Sequence, residues 1–212
     1  MPDLHGQRVL VTRPRRQAAD FIARLEAAGA HPIPFPVIRI GPAPDLPALD
    51  QALRELGRYE WLVLTSVNGV EAVWERLEAL GIQALPERLQ VAAIGPKTAE
   101  ALQRHGVSPA FVPQEFVAEA LLPGLEPLQG RRVLLTRAEI ARPVLAEAIR
   151  QAGGEAEEVA AYQTLPAEPG PHSLAELRSG VDWVTFTSSS TVRGFQAVLQ
   201  AEGVEVNCLP GR

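Results

Sequence analysis

Short apolar runs alternate along this chain with longer stretches whose apolar residues recur every three or four positions. Val9-Leu10-Val11 is one such run. It is closed by Thr12 and Arg13, as a buried parallel strand should be. Ala18, Phe21, Ile22 and Leu25 then fall on one helical face, and Gly29 stands where a helix would stop. His31–Phe35 reads as a second strand, and the proline-rich stretch 36–47 as extended chain. Leu49 and Leu53 mark a helix. Trp61–Leu64 reads as a strand, and Val70, Val73, Trp74 and Leu77 form a helical stripe closed by Gly81. Val91–Ile94 is a strand, Thr98–His105 a helix closed by Gly106, and Ala110–Val112 a further strand. Farther on, Val133–Leu135 is a strand and Val144, Leu145, Ala148 and Ile149 line a helix that stops at Gly153-Gly154. Glu158–Gln163 is extended, and Leu174 and Leu177 suggest a short helix. Trp183–Phe186 is a strand, and Val192, Phe195 and Leu199 line the last helix. Strands alternating with helices predict α/β architecture, with parallel sheets covered on both faces and right-handed crossovers.

The pattern is written twice. Segment 6–14, Gly-Gln-Arg-Val-Leu-Val-Thr-Arg-Pro, returns at 130–138 as Gly-Arg-Arg-Val-Leu-Leu-Thr-Arg-Ala. Segment 61–70, Trp-Leu-Val-Leu-Thr-Ser-Val-Asn-Gly-Val, is answered at 183–192 by Trp-Val-Thr-Phe-Thr-Ser-Ser-Ser-Thr-Val. The separations are 124 residues (Thr12 to Thr136) and 122 residues (Thr65 to Thr187). Two blocks at one near-constant separation mean a duplicated unit, hence two similar domains, and suggest a site shared by the copies. At 212 residues each copy is long enough to bury its own core. The segment Val91-Ala-Ala-Ile-Gly-Pro-Lys-Thr-Ala99 has no second version before Arg212. The second copy is therefore expected to stop short of its closing elements.

Composition narrows the class. The mean hydropathy of +0.02 is that of a globular chain, and no run approaches the ~18 apolar residues of a membrane span. The first residues show neither the basic cap nor the apolar core of a signal peptide. A single cysteine, Cys208, gives no disulfide framework and no thiolate metal site. A cytoplasmic monomer without membrane contact is expected. The net charge of −5 argues against a nucleic-acid partner. The four histidines lack metal-ligand spacing, so no metal is expected, and no dinucleotide, phosphate-loop or nucleophile-elbow motif occurs.

Candidate chemistry lies at the strand ends, where open parallel sheets bind ligands. Thr12-Arg13, Thr65-Ser66, Thr136-Arg137 and Thr187-Ser188 each end a strand with hydroxyl or basic groups. In Gly95-Pro96-Lys97-Thr98, glycine allows close backbone approach to a helix N-terminus, which attracts carboxylates and phosphates. Each Ser or Thr also reads as a plain helix cap. Arg13, Arg15 and Arg16 cluster after the first strand, and Arg137 and Arg142 hold the comparable place in the second copy. Cations at a helix start oppose its dipole, so an anionic ligand is favoured over a bare solvated turn. Tyr162 reads either as a packed aromatic or as a proton donor.

Together these residues resemble uroporphyrinogen-III synthases. The resemblance rests on Val11-Thr-Arg-Pro14, Leu64-Thr-Ser-Val-Asn-Gly-Val70, Ala93-Ile-Gly-Pro-Lys-Thr-Ala99, Ala161-Tyr-Gln-Thr164 and Phe186-Thr-Ser-Ser-Ser190, in that order across the chain. It implies two similar parallel-sheet, flavodoxin-like domains joined by two extended linker segments. The expected division is 1–36 with 166–212, and 37–165. It implies cyclisation of hydroxymethylbilane, a linear polyanionic tetrapyrrole, with inversion of the last ring and no cofactor. Tyr162 is then the candidate for assisting departure of the hydroxyl. Thr12, Arg13, Thr65, Ser66, Asn68, Gly95, Lys97, Thr98, Arg137, Thr187, Ser188 and Ser189 become candidate substrate ligands. The rival reading is a non-catalytic, two-lobed ligand-binding or regulatory domain of the same fold. The family's second isoleucine-glycine-proline segment is missing here, so the 212-residue chain is expected to form little type III isomer. The discontinuous domain should also be the less stable one. Hydrogen exchange checks this: amides of Val9–Val11 should exchange faster than those of Val133–Leu135.

Overall fold

The computed structural model describes residues 4–115, 117–140 and 143–204. In chain order its elements are β1 (Arg8–Val11), α1 (Arg15–Ala27), β2 (His31–Pro34), β3 (Ile38–Pro42), α2 (Leu46–Arg54), β4 (Trp61–Leu64), α3 (Val67–Ala79), β5 (Gln90–Ala93), α4 (Pro96–Arg104), α5 (Leu122–Leu125), β6 (Arg132–Ala138), α6 (Val144–Gln151), β7 (Glu155–Pro166), α7 (Pro171–Arg178), β8 (Trp183–Thr185) and α8 (Ser189–Ala201). Short 3-10 turns at Leu56–Arg58 and Ala118–Leu121 complete the order. The chain forms two compact units. A terminal unit comprises Met1–Ile40 and Thr164–Arg212, and a middle unit comprises Gly41–Gln163. The end of the second copy, beyond Val204, lies outside the described residues.

The five-stranded sheet has the order β3-β7-β6-β4-β5, with β3 and β7 each running past a bound of the middle unit, and its β4–β5, β4–β6 and β6–β7 pairs are parallel. Leu62, Val63 and Leu64 on β4 and Val133, Leu134 and Leu135 on β6 are almost wholly buried, because helices cover both faces of the sheet. One face packs Val63, Val133 and Leu135 on Leu145, Ala146 and Ile149 of α6 and on Leu121, Leu125 and Leu128. Those last three come from the segment 118–128, for which the sequence pattern predicted no element. The helix there is a single turn, too short for a period to register. Ala110–Val112 departs from expectation in the other direction. It is not a strand but one bridge, Phe111 to Ala92. Pro109 and Pro113 flank it, and proline has no N–H for a ladder. β7 runs 12 residues, well beyond the expected Glu158–Gln163.

The terminal unit repeats this plan with the order β2-β1-β8, all parallel. β1 alternates its faces as a strand must. Val9 and Val11 pack on Ala18 and Leu25 of α1, whereas Leu10 joins Ile33, Phe35, Leu177, Phe195 and Leu199 on the other side. Phe195 meets Phe35 and Phe186 edge-on, with ring centroids 5.8 and 5.5 Å apart. The register is also duplicated: Arg8 opposes His31 as Arg132 opposes Glu155. So is the helix stop. Gly29 and Gly153 both take positive φ, +80° and +83°. The following amides, of Ala30 and Gly154, bond back to Leu25 and Ile149, as a left-handed terminal turn requires.

Two consequences can be measured. Leu134 is wholly buried in the centre of its sheet, so Leu134→Ala should destabilise the middle unit by about 2–5 kcal/mol in urea titrations. Arg76 on α3 grips Asp50 on α2 through both Nε and Nη2, the latter at 2.5 Å. These bonds hold the Asp50 carboxyl below its ordinary range, against the opposing effect of burial. A depressed carboxyl contributes stability above its unfolded pKa and loses it as pH falls through the folded value. Asp50→Asn should therefore lower the melting temperature at neutral pH and have progressively less effect in acid.

Candidate functional site

The chemistry-bearing side chains of the middle unit lie at the carboxyl ends of β4 and β6 and on the part of β7 that pairs with the end of β6. Ser66 caps α3: its hydroxyl accepts a hydrogen bond from the Gly69 amide at 3.0 Å. The same oxygen lies 3.0 Å from the phenol oxygen of Tyr162. Tyr162 is buried, and its carbonyl accepts the Glu139 amide at 2.9 Å. It pairs with Ala138 across a register shift in the β6–β7 ladder. A shift of this kind re-aims the side chains beyond it. Thr65 and Asn68 flank the cap, both half-buried. The sequence expectation named Ser66 and Tyr162 separately. Their contact spans 96 residues and is a product of the fold.

The next strand end is built differently. Gly95 is the extended cap residue of α4, Pro96 occupies the first helical position, and no side chain caps the helix. Thr98 is buried in the first turn. Lys97 projects outward, is four-fifths exposed and pairs with Glu100 at 2.8 Å. Arg137, at the end of β6, forms an ion pair with Glu158 on β7, which Arg150 also approaches at 3.4 Å. The sequence reading did not single out Glu158.

In the terminal unit, Thr12 is wholly buried, and its hydroxyl donates to the Thr185 carbonyl at 2.6 Å. Thr136, its duplicate, donates to the Val63 carbonyl at 3.4 Å. Both threonines tie a strand to its neighbour. Arg13 follows half-buried, and its Nε finds no hydrogen-bond acceptor among the described residues. Proline occupies position 34, which the 124-residue separation matches to Glu158. Arg13 thus lacks the carboxylate that neutralises its duplicate. Thr187, Ser188 and Ser189 are exposed at the start of α8. There Ser188 and Thr191 cap each other's amides in a closed box. Arg142 lies outside the described residues.

A depression of 270 Å³ opens at the opposite, amino ends of β4, β6 and β7. It is lined by Arg58, Tyr59, Arg132, Glu155 and Glu157. Its groups satisfy one another. Tyr59 donates to Glu157 at 2.7 Å, and Arg132 pairs with Glu155 at 2.8 Å. Burial and the Glu157 hydrogen bond push the Tyr59 phenol above its ordinary range. The strand carboxyl ends remain the candidate site. No helix among the described residues is long and apolar enough to cross a membrane.

Comparison with known proteins agrees with this picture. A family model described as uroporphyrinogen-III synthase HemD matches residues 19–210. A uroporphyrinogen-III synthase of Synechococcus elongatus is 36% identical over 196 residues, spanning 91% of this chain and 74% of that protein. One from Chlorobaculum parvum is 31% identical, over 88% of this chain and 77% of its own length. Among solved structures, a mutant uroporphyrinogen III synthase from Thermus thermophilus superimposes with a TM-score of 0.61 at 25% identity. The match covers 92% of this chain and 77% of that one. A duplicated α/β chain with these strand-end motifs, matched over nearly its whole length, belongs to the uroporphyrinogen-III synthase family.

Proposed function

We propose that the protein closes hydroxymethylbilane to uroporphyrinogen III, releasing one water and inverting the last ring of the tetrapyrrole. Family membership supports the reaction. The observation that carries the residue assignment is the buried Tyr162 phenol, 3.0 Å from the Ser66 hydroxyl at the start of α3. Loss of the substrate hydroxyl requires a proton, and Tyr162 is the donor in this reading. The C–O bond breaks with its electron pair going to the departing water. The azafulvene cation that remains is attacked by the substituted carbon of the last ring. The resulting spiro intermediate fragments and recloses with that ring inverted, and a pyrrole proton is lost.

The rest of the machinery holds the substrate's acetates and propionates. In the middle unit these anions meet the amides that open α3 and α4, at Thr65, Ser66, Asn68, Gly95 and Thr98. Arg137 and Lys97 lie at the margins. In the terminal unit the corresponding groups are Arg13, Thr187, Ser188 and Ser189, with Thr12 bracing the strand end. Helix N-termini suit this task because their amides and dipoles favour negative charge. Hydroxymethylbilane also closes without inversion, so the catalyst's work is largely to steer a reactive chain by position.

A coupled assay with freshly generated hydroxymethylbilane, resolving isomers I and III, tests the reading. It should be run on this chain and on a version carrying the expected closing segment. Excess type III isomer supports the proposal, and only type I from both would sink it. Tyr162→Phe should slow turnover by roughly 10²-fold with little change in half-saturation, as for a group acting in the transition state. Product affinity should fall as salt rises, because charge holds the carboxylates. Lys97→Ala alone should change affinity by less than about two-fold, since an exposed lysine is a weak anchor.

A further inference from the structure

The helices that follow β4 and β8 are copies of one another, and they differ at one telling position. Each begins at a serine cap, Ser66 and Ser188. Three residues on, α8 carries Thr191 where α3 carries Gly69. Thr191 folds back on its own helix. Its hydroxyl donates to the Ser188 carbonyl at 2.7 Å and accepts the amides of Thr187 and Ser188 at 3.3 Å. That closes the turn. In α3 no side chain stands at this position, and the Tyr162 phenol meets the cap serine there.

Nothing in the backbone demands glycine. Gly69 lies in the first turn of α3 and is not among the glycines with positive φ. Helix propensity favours almost any other residue. What does demand it is space. A Cβ on Gly69 would lie 3.3 Å from the Ser66 hydroxyl, 3.7 Å from the Thr136 carbonyl and 3.9 Å from the Tyr162 ring. The first contact is tight enough to shift the serine hydroxyl by a few tenths of an ångström. The duplicate of Tyr162, at a separation of 124 residues, is Ile38, which has no hydroxyl. The open turn and the phenol therefore occur together in one copy. In the other copy the closed turn occurs without a phenol.

We propose that Gly69 is a positioning residue: its missing side chain keeps the first turn of α3 open, so that Ser66 and Tyr162 share a hydrogen bond that aims the phenol at the departing hydroxyl. This rests on the reading of Tyr162 as the proton donor. Gly69 touches no reacting atom and acts through its two neighbours.

The test is a double-mutant cycle in single-turnover assays, with the full chain in excess over freshly generated hydroxymethylbilane. Gly69→Ala and Gly69→Thr are each combined with Tyr162→Phe. Gly69→Thr writes the α8 sequence into α3, and its melting temperature is measured beside its rate so that a loss of rate is separated from a loss of stability. Both Gly69 variants should slow the maximal rate by about ten-fold, because small misplacements of a proton donor are costly. Half-saturation should change by less than about two-fold. In the Tyr162→Phe background neither variant should slow the reaction further. Should Gly69→Thr fail to fold, Gly69→Ala, which adds one carbon, carries the same comparison. Wild-type rates in the Gly69 variants beside a slow Tyr162→Phe would overturn the inference and leave the tyrosine assignment standing. Additive losses, or rate losses that simply follow lost stability, would overturn it as well. A wild-type rate in Tyr162→Phe would remove the tyrosine assignment and this inference with it.

Discussion

A parallel strand buried on both faces has room for polar chemistry only where it ends. That constraint organises this protein. Val9–Val11, Leu62–Leu64 and Val133–Leu135 are sealed by helices on each side. The first polar groups available are the hydroxyls, guanidinium groups and helix amides just beyond the last apolar residue. Even there, Thr12 and Thr136 turn inward and tie their strands to the neighbouring ones. The next residues out, Arg13 and Ser66 among them, are half-buried just beyond the sealed runs.

Duplication supplied two versions of this arrangement, and their side chains have diverged. One arginine, Arg137, is neutralised by Glu158, while its twin Arg13 faces a proline at the matching position. One helix start is closed by Thr191, while the other is left open by Gly69 and filled by Tyr162. Each difference has the same physical form. In each case a side chain makes a local bond in one copy, and the residue at the matching position of the other copy has no group to make it.

The elements were legible wherever a period had room to repeat. α1, α3 and α8 each run 13 residues, and their apolar stripes were plain in the sequence. The short strands were legible from their unbroken apolar runs and from their twins. Legibility failed where the period was too short or the ladder incomplete. α5 is a single turn, so it left no stripe, although it and its neighbours provide Leu121, Leu125 and Leu128 to the core. Ala110–Val112 looked like a strand by composition, but its flanking prolines allow only one bridge. Among the candidate site residues, the hydroxyl and basic types at strand ends were visible. Which of them already had partners was not.

The sequence alone determined the class of fold, the duplication, the family and the identity of the groups that stand at strand ends. Those follow from periodicity and from motifs a few residues long, which the chain carries locally. Only the tertiary structure decided which groups meet. The Tyr162–Ser66 contact joins residues 96 apart, and the Thr12–Thr185 bond joins residues 173 apart. Pairings of that range are set by strand register and by the shift between Arg137 and Ala138, not by local pattern. The same holds for the space beside Gly69: a glycine in a helix start looks ordinary in sequence, and its reason appears once Ser66, Thr136 and Tyr162 close around it.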